Sequence, residues 1–425
     1  MDPMEKYGAR KRVKLIAHSP DWYEFRRRGL GGSEVGAVLG LNPWLSRWVL
    51  YEEKVGIRPR RDGINEPMIN GLFMEDTVAD WWKFYDGQQV AGPDGETVSS
   101  RILRMYEYDQ AVATAMQAQV EWDRASKAGT AVGDRPEVPH ITEFHARRCQ
   151  RINYTLYREK VPWLYANLDR VIPAGQFRLG AHGGLLEHAS PLECKTINGF
   201  HARKYEQGYP PYWHAQGHLQ MMCIGSTYCE YAYLVDGRDF GVINYDIDHT
   251  FLERILEETY EFWQLVESGQ KAVARLEDPT LTEADREEVY QEVDNYLPAP
   301  DDADEGYQEF LKERYRVENM ENEEMTMSDA DPDNDRLKGL ILADMGFFEL
   351  EKAFKKARAA VQTGLARECM ERQRIYIKMP EGFSFSFRPL KEGNKPTLKS
   401  KAPVKVDPDQ VAAVLQSITV DNLFK

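Results

Sequence analysis

Asp169 lies in the segment WLYANLDRV (163–171), and 23 residues separate it from Glu193-Cys194-Lys195 in PLECKTI (191–197). Both segments are rich in β-branched and aromatic residues and read as strands, with the Pro/Gly-bearing stretch between them as a loop. Side chains alternate along a strand, so Leu192 and Cys194 face a core while Glu193 and Lys195 project together toward Asp169. Two carboxylates and an ammonium meeting at one point suit hydrolysis of a phosphodiester with bound Mg²⁺. The acids hold a hard cation through oxygen, and the lysine orients or activates the attacking water.

Other elements must bring further groups to this point. Residues 66 to 86 read as a helix with Met68, Leu72, Ala79 and Trp82 on one stripe, and Glu75 falls on that stripe. A carboxylate on an apolar face needs a partner or a metal. Near the start, Gly31-Gly32-Ser33-Glu34 opens a short helix running to Gly40, with Ser33 as N-cap and the glycines letting N–H groups crowd an anion. A plain capped helix uses the same residues. Residues 209 to 224 read as a helix started by prolines, with Gln216 and Gln220 four apart on a packed face. His214 and His218 share that spacing, but Ala215 stands where zincin chemistry needs a glutamate, so zinc is not expected.

The bulk composition is that of an ordinary globular protein, 42% apolar over 425 residues. No run of about 18 apolar residues and no signal-peptide pattern occurs, so a soluble, intracellular, cytoplasmic protein with no membrane role is expected. The five cysteines form no C-x-x-C pair, which points to reduced, mostly buried thiols and away from zinc ribbons and iron–sulfur clusters. A net charge of −15 sits badly with a phosphate-rich partner, but the charge is unevenly spread. Residues 251–350 hold 9 Lys/Arg against 29 Asp/Glu, residues 1–60 hold 12 against 7, and residues 351–400 hold 12 against 5. The two basic segments can supply a DNA track; solvated basic faces would look the same in charge alone. Asp329, Asp331, Asp333 and Asp335 imitate the start of an EF-hand loop, but Asn334 and Leu340 replace its Gly and Glu, so calcium is not expected.

The order Arg26, Ser33, Glu75, Asp169, Glu193-Lys195, Gln216 resembles the YqaJ-like viral recombinase family, relatives of phage lambda exonuclease within the PD-(D/E)xK nuclease superfamily. The stretches GGSEVGAVLGLNPW (31–44) and PPYWHAQGHLQMMCIG (210–225) carry most of the resemblance, which covers about residues 15 to 235. It implies an α/β fold: a restriction-endonuclease-like core, a mixed central sheet flanked by helices. By position, Asp169, Glu193, Glu75 and the Cys194 carbonyl match metal ligands for two Mg²⁺ ions, with Mn²⁺ able to substitute. Lys195 matches the lysine that positions or deprotonates the water, and Gln216 a glutamine near the nucleophile and terminal phosphate, with Gln220 as helper. Arg26 and Ser33 match a 5′-phosphate pocket, and Asn167 stands where some relatives have a serine. Leu168 replaces the superfamily's leading proline.

The resemblance further implies 5′ to 3′ digestion of one strand of duplex DNA from its ends, 3′ overhangs for a single-strand annealing partner, and a homo-oligomeric ring, a trimer. The expected organisation is a first part of the nuclease core (1–90), an insertion (91–150), the catalytic sheet and its helices (151–270), an acidic region (271–335), and a C-terminal helix, hairpin and tail (336–425). Within it, 299–335 reads as largely flexible linker and 408–417 as a short helix. Alternatives are an endonuclease or repair nuclease of the same superfamily, or a catalytically silent DNA-binding scaffold. The full set Glu75, Asp169, Glu193 and Lys195 argues against the scaffold.

Overall fold

In a computed structural model of the chain the described residues are 2–15, 19–59, 66–180, 183–203, 209–314 and 333–373, with the strands 376–378, 384–388 and 397–401. The chain divides into two units, Met1–Met320 and Glu321–Lys425. The first opens with β1 (Arg10–Val13) and the helices α1 (Pro20–Arg27), α2 (Gly32–Val38), α3 (Arg47–Val55) and α4 (Glu66–Phe84). A small hairpin of β2 (Gln89–Ala91) and β3 (Thr97–Ser99) leads into α5 (Ser100–Lys127). These elements span residues 89–127, most of the segment expected as an insertion.

The strands β4 (Thr155–Arg158), β5 (Val161–Ala166), β6 (Arg170–Ile172) and β7 (Ser190–Ile197) follow, then a short α6 (Gly199–Ala202) and α7 (Pro211–Ile224). Next come β8 (Tyr228–Val235), β9 (Asp239–Asp246) and the helices α8 (His249–Ala274), α9 (Glu283–Asn295) and α10 (Glu305–Arg314). The central sheet has the order β6-β7-β8-β9, parallel between β7 and β8 and antiparallel elsewhere. This is the mixed sheet flanked by helices that was expected. A second sheet, β1-β4-β5, is antiparallel.

Segment 163–171 is therefore not one strand. It breaks at Asn167–Asp169, where the chain leaves the β1-β4-β5 sheet for the central one. Arg170 pairs with Leu192, so Leu168 would continue the ladder opposite Cys194; instead the Cys194 N–H donates to Asp169 Oδ2 at 2.9 Å. A side chain takes a backbone acceptor's place, and the bend leaves Asp169 between two sheets.

Two apolar clusters bracket this junction. One joins α2, α3, α7 and α8 through residues such as Val35, Leu50, Leu219 and Ile255, and the other seats α4 on the central sheet through Val78, Trp82, Leu192 and Ala232. The expected stripe on α4 holds only in its second half: Ala79 and Trp82 are buried, while Met68 and Leu72 are exposed. Beneath α4, Arg147 and Glu230 form a fully buried bidentate pair, and Trp82 Nε1 and Tyr228 OH donate to the same carboxylate. Every acceptor position of Glu230 is thus answered, which is what a charge in a core requires.

The 299–335 segment is not a linker throughout. Residues 305–314 form α10, whose Phe310 is buried against Trp48 and Val49 and whose Arg314 pairs with Asp294 and Glu52. The acidic composition masked the apolar anchor that a short helix needs. Residues 315–332 lie outside the described residues, as do Asp329 and Asp331 and the helix expected over 408–417.

The second unit holds α11 (Asn334–Glu371) and an antiparallel sheet β10-β11-β12, of Tyr376–Lys378, Ser384–Arg388 and Thr397–Lys401. β10 and β11 pair as the expected C-terminal hairpin would, and β12 adds a third strand. No described helix is long and apolar enough to cross a membrane. The five cysteines are free thiols, four of them buried.

Candidate active site

A cleft of about 920 Å³ opens where the two sheets of the first unit meet α4, and Asp169, Glu193, Cys194 and Lys195 form one wall of it. Glu75, Asn167, Arg26, Trp22 and Lys14 also face it. β7 supplies Glu193 and Lys195 from one face, while Leu192 and Cys194 turn to the core beneath α4. Strand alternation works as the sequence reading requires.

Glu193 is buried at 3% exposure and held from three sides. Lys195 Nζ donates to its Oε1 at 2.5 Å, Gln216 Nε2 donates to the same oxygen, and Gln220 Nε2 donates to Oε2 at 2.6 Å. Both glutamines are buried on α7, behind the carboxylate and outside the cleft lining. This differs from the expectation that Gln216 meets the nucleophile and terminal phosphate: its amide is spent on orienting Glu193. The same helix accounts for the histidines. His218 Nδ1 meets the His214 carbonyl and its Nε2 accepts from Asp248 N–H at 2.9 Å, so the ring is fully engaged away from its neighbour. Burial pushes both imidazoles below their ordinary values, toward the neutral form.

The electrostatics of the acidic wall are unbalanced. Burial, and then the facing Glu193, push the Asp169 carboxyl well above the usual carboxylate range, and Lys195 only partly offsets them. Burial would lower the Lys195 ammonium, but Glu193 and Asp169 outweigh it and hold the lysine charged. Only Oδ2 of Asp169 receives a donor among the described residues. Excess negative charge, presented by two carboxylates with an oxygen to spare, fits a hard divalent cation. Asp169 and Glu193 are the residues that would hold it.

Glu75 behaves otherwise than the expected third ligand. It lines the cleft, but its Oε1 accepts from Arg170 and, at 2.8 Å, from Arg151. Among the described residues no three acidic, His or Cys side chains form a ready-made ligand set. The cause lies one residue from Asp169: Arg170 is nearly buried and must be paired, and Glu75 with Asp76 answers it. Arg151 and Arg170 were not singled out in the sequence, although an Asp-Arg step at a strand entrance carries the signal.

The expected phosphate pocket is divided. Arg26 faces the cleft, its guanidinium 4.6 Å from the Trp22 ring centroid and 3.5 Å from Glu34. Ser33 is exposed, does not line the cleft and is not the N-cap: Gly31 takes that place, and its N–H donates to Glu34 Oε2 at 2.7 Å. Glu34 does the capping because Lys54 already holds it at 2.9 Å inside the core. Asn167 reaches the cleft, its Oδ1 accepting from Thr155 Oγ1 at 2.6 Å.

A family model of the YqaJ-like viral recombinase domain matches residues 21–228. The uncharacterized protein YqaJ of Bacillus subtilis (strain 168) is 22% identical over 293 residues, 67% of this chain and 69% of the relative. Among solved structures, the chain is similar to an alkaline exonuclease, LHK-Exo, from Laribacter hongkongensis, with 15% identity and a TM-score of 0.34 over 60% of this chain and 97% of that one. LHK-Exo in complex with dAMP gives 14% and 0.36 over the same shares. Just under half of the chain, residues 21–228, is thus similar to the YqaJ-like viral recombinase domain family.

Proposed function

We propose that this protein is a metal-dependent deoxyribonuclease that digests linear duplex DNA from its ends, 5′ to 3′, leaving 3′ single strands for a strand-annealing partner. The carrying observation is Asp169, Glu193 and Lys195 side by side on one wall of the cleft, with the acids' charge under-compensated. Similarity to the viral recombinase domain over residues 21–228 supports DNA as the substrate. Magnesium, or manganese in its place, would neutralise charge on the scissile phosphate and lower the pKa of its bound water.

The protein's own groups then have distinct tasks. Asp169 and Glu193 supply the oxygen ligands, and Gln216 and Gln220 fix Glu193 so that its geometry is set before substrate arrives. Lys195, held as an ammonium, orients the attacking water and faces the charge that develops on the phosphate. Arg26, stacked on Trp22 in the same cleft, grips a terminal phosphate and makes the reaction depend on an end.

The test uses end-labelled linear duplex and closed-circular DNA with Mg²⁺, with and without EDTA, for wild type and Lys195→Ala. Linear duplex should be shortened and circles spared by wild type, EDTA should abolish the activity, and Lys195→Ala should bind ends while digesting them at least ~100-fold more slowly. Lys195→Ala protein as fast as wild type overturns the site assignment, and cutting of closed circles overturns the end dependence.

A further inference from the structure

We propose that α11 is a self-association element, pairing antiparallel with α11 of a second copy of this chain. Its 38 residues carry large apolar side chains in water: Phe347 is 69%, Val361 64% and Phe354 55% exposed. Leu340, Phe347, Phe354 and Val361 recur every seven residues, and Ala343, Leu350 and Gly364 fall three residues after members of that series. A seven-residue apolar repeat kept over more than three turns of the pattern is the seam of a coiled coil. The small sheet of the same unit packs against α11, where Cys369 is buried, and among the described residues Leu340, Phe347, Phe354 and Val361 stay exposed.

Sequence and charge select the occupant. With the two-fold axis at residue 352 and the copies antiparallel, every layer of the seam from 340 to 364 is apolar. Leu340 then sits against Gly364 of the partner subunit, Val361 against the partner's Ala343, and Leu350 against the partner's Phe354. Bulky residues meet small ones at the ends of the seam, as interdigitating cores require. The charge runs the same way: residues 334–351 hold four acids against two bases, and residues 352–367 hold five bases and no acid. Antiparallel pairing lays the acidic half of one helix on the basic half of the other and brings Asp344 beside the partner's Arg358. A parallel pair would stack like on like. At the axis Glu351 meets its own symmetry mate, where Lys355 already pairs with it at 2.5 Å.

Sedimentation equilibrium of the full-length protein tests this. Wild type should associate to at least twice the 49.0 kDa chain mass. Phe347→Glu combined with Phe354→Glu should abolish α11-dependent association with helix content unchanged, since both side chains lie in solvent. Asp344→Arg or Arg358→Asp alone should weaken association about tenfold, and the two together should restore it. A monomeric wild type, an unchanged mass in the phenylalanine double variant, or a charge-swapped double variant no tighter than the singles would overturn the proposal.

Discussion

Glu193 receives donors from Lys195, Gln216 and Gln220, and the two amides come from a helix that does not reach the cleft surface. An amide in that position tunes a metal ligand without touching substrate, so Gln216→Ala should raise the Mg²⁺ concentration for half-maximal digestion by about 10–100-fold. The KM for DNA ends should change little. If the Mg²⁺ requirement stays fixed while the KM for 5′-phosphorylated ends rises, Gln216 contacts the terminal phosphate after all. Glu34 offers a test of stability rather than activity. Burial would raise its pKa, but Lys54 and Arg26, with the Gly31 N–H, overcome this and hold the carboxyl down at about 2. A depressed carboxylate stabilises the fold above its unfolded value of 4.5, and that contribution is lost as pH falls through about 2. Glu34→Gln leaves Lys54 buried without its counter-charge, so the variant should lose about 3 kcal/mol at neutral pH and flatten the acid limb of a denaturant-midpoint profile between about 4.5 and 2. A variant of wild-type stability at neutral pH would show that the buried ion pair contributes nothing.

At the scale of elements, the contact between α2 and α7 sets the site, because α7 carries both glutamines. It is close because α2 is glycine-rich: a Cβ on Gly36 would stand 2.7 Å from Tyr212 Cβ, and one on Gly32 2.9 Å from Gln216 Cγ. Helix propensity alone predicts that Gly36→Ala stabilises by about 1 kcal/mol, whereas overpacking costs about 1–3 kcal/mol. Thermal melting should therefore show a loss, together with reduced digestion as α7 and its amides shift; a gain in stability would place the two helices further apart. The GGSEVG signature was legible in the sequence, but as an N-cap and anion site. Its glycines serve helix approach instead, a long-range fact that local spacing does not encode. Glu193 and Lys195 were readable because alternation along β7 is local, and Asp169 lines the same cleft although the strand expected to carry it breaks there. The bend at Asn167–Asp169 comes from a side chain replacing a ladder acceptor, which no propensity records. Arg170 claiming Glu75 was hidden for the same reason, since their pairing spans 95 residues.

For the whole molecule, the boundary near Met320 separates the cleft from the extension, and all the groups assigned to chemistry precede it. Residues 251–350 concentrate the acidity, yet α9 and α10 within that span are anchored by Val289, Val293 and Phe310, so much of it belongs to the folded first unit. Residues 351–400 hold 12 basic side chains against 5 acidic ones in the second. A chain ending at Met320 should then fold and digest linear duplex with the same Mg²⁺ dependence, having lost basic groups but no catalytic one. Each phosphate contact made by the extension contributes about 0.9 to the slope of log affinity against log salt, so the shortened chain should bind duplex ends with a shallower slope than the full-length protein. Fluorescence anisotropy across a salt series measures both slopes with the same labelled duplex. Equal slopes would leave the basic segment as a solvated face, and a soluble, folded but inactive shortened chain would place part of the catalytic apparatus in the extension.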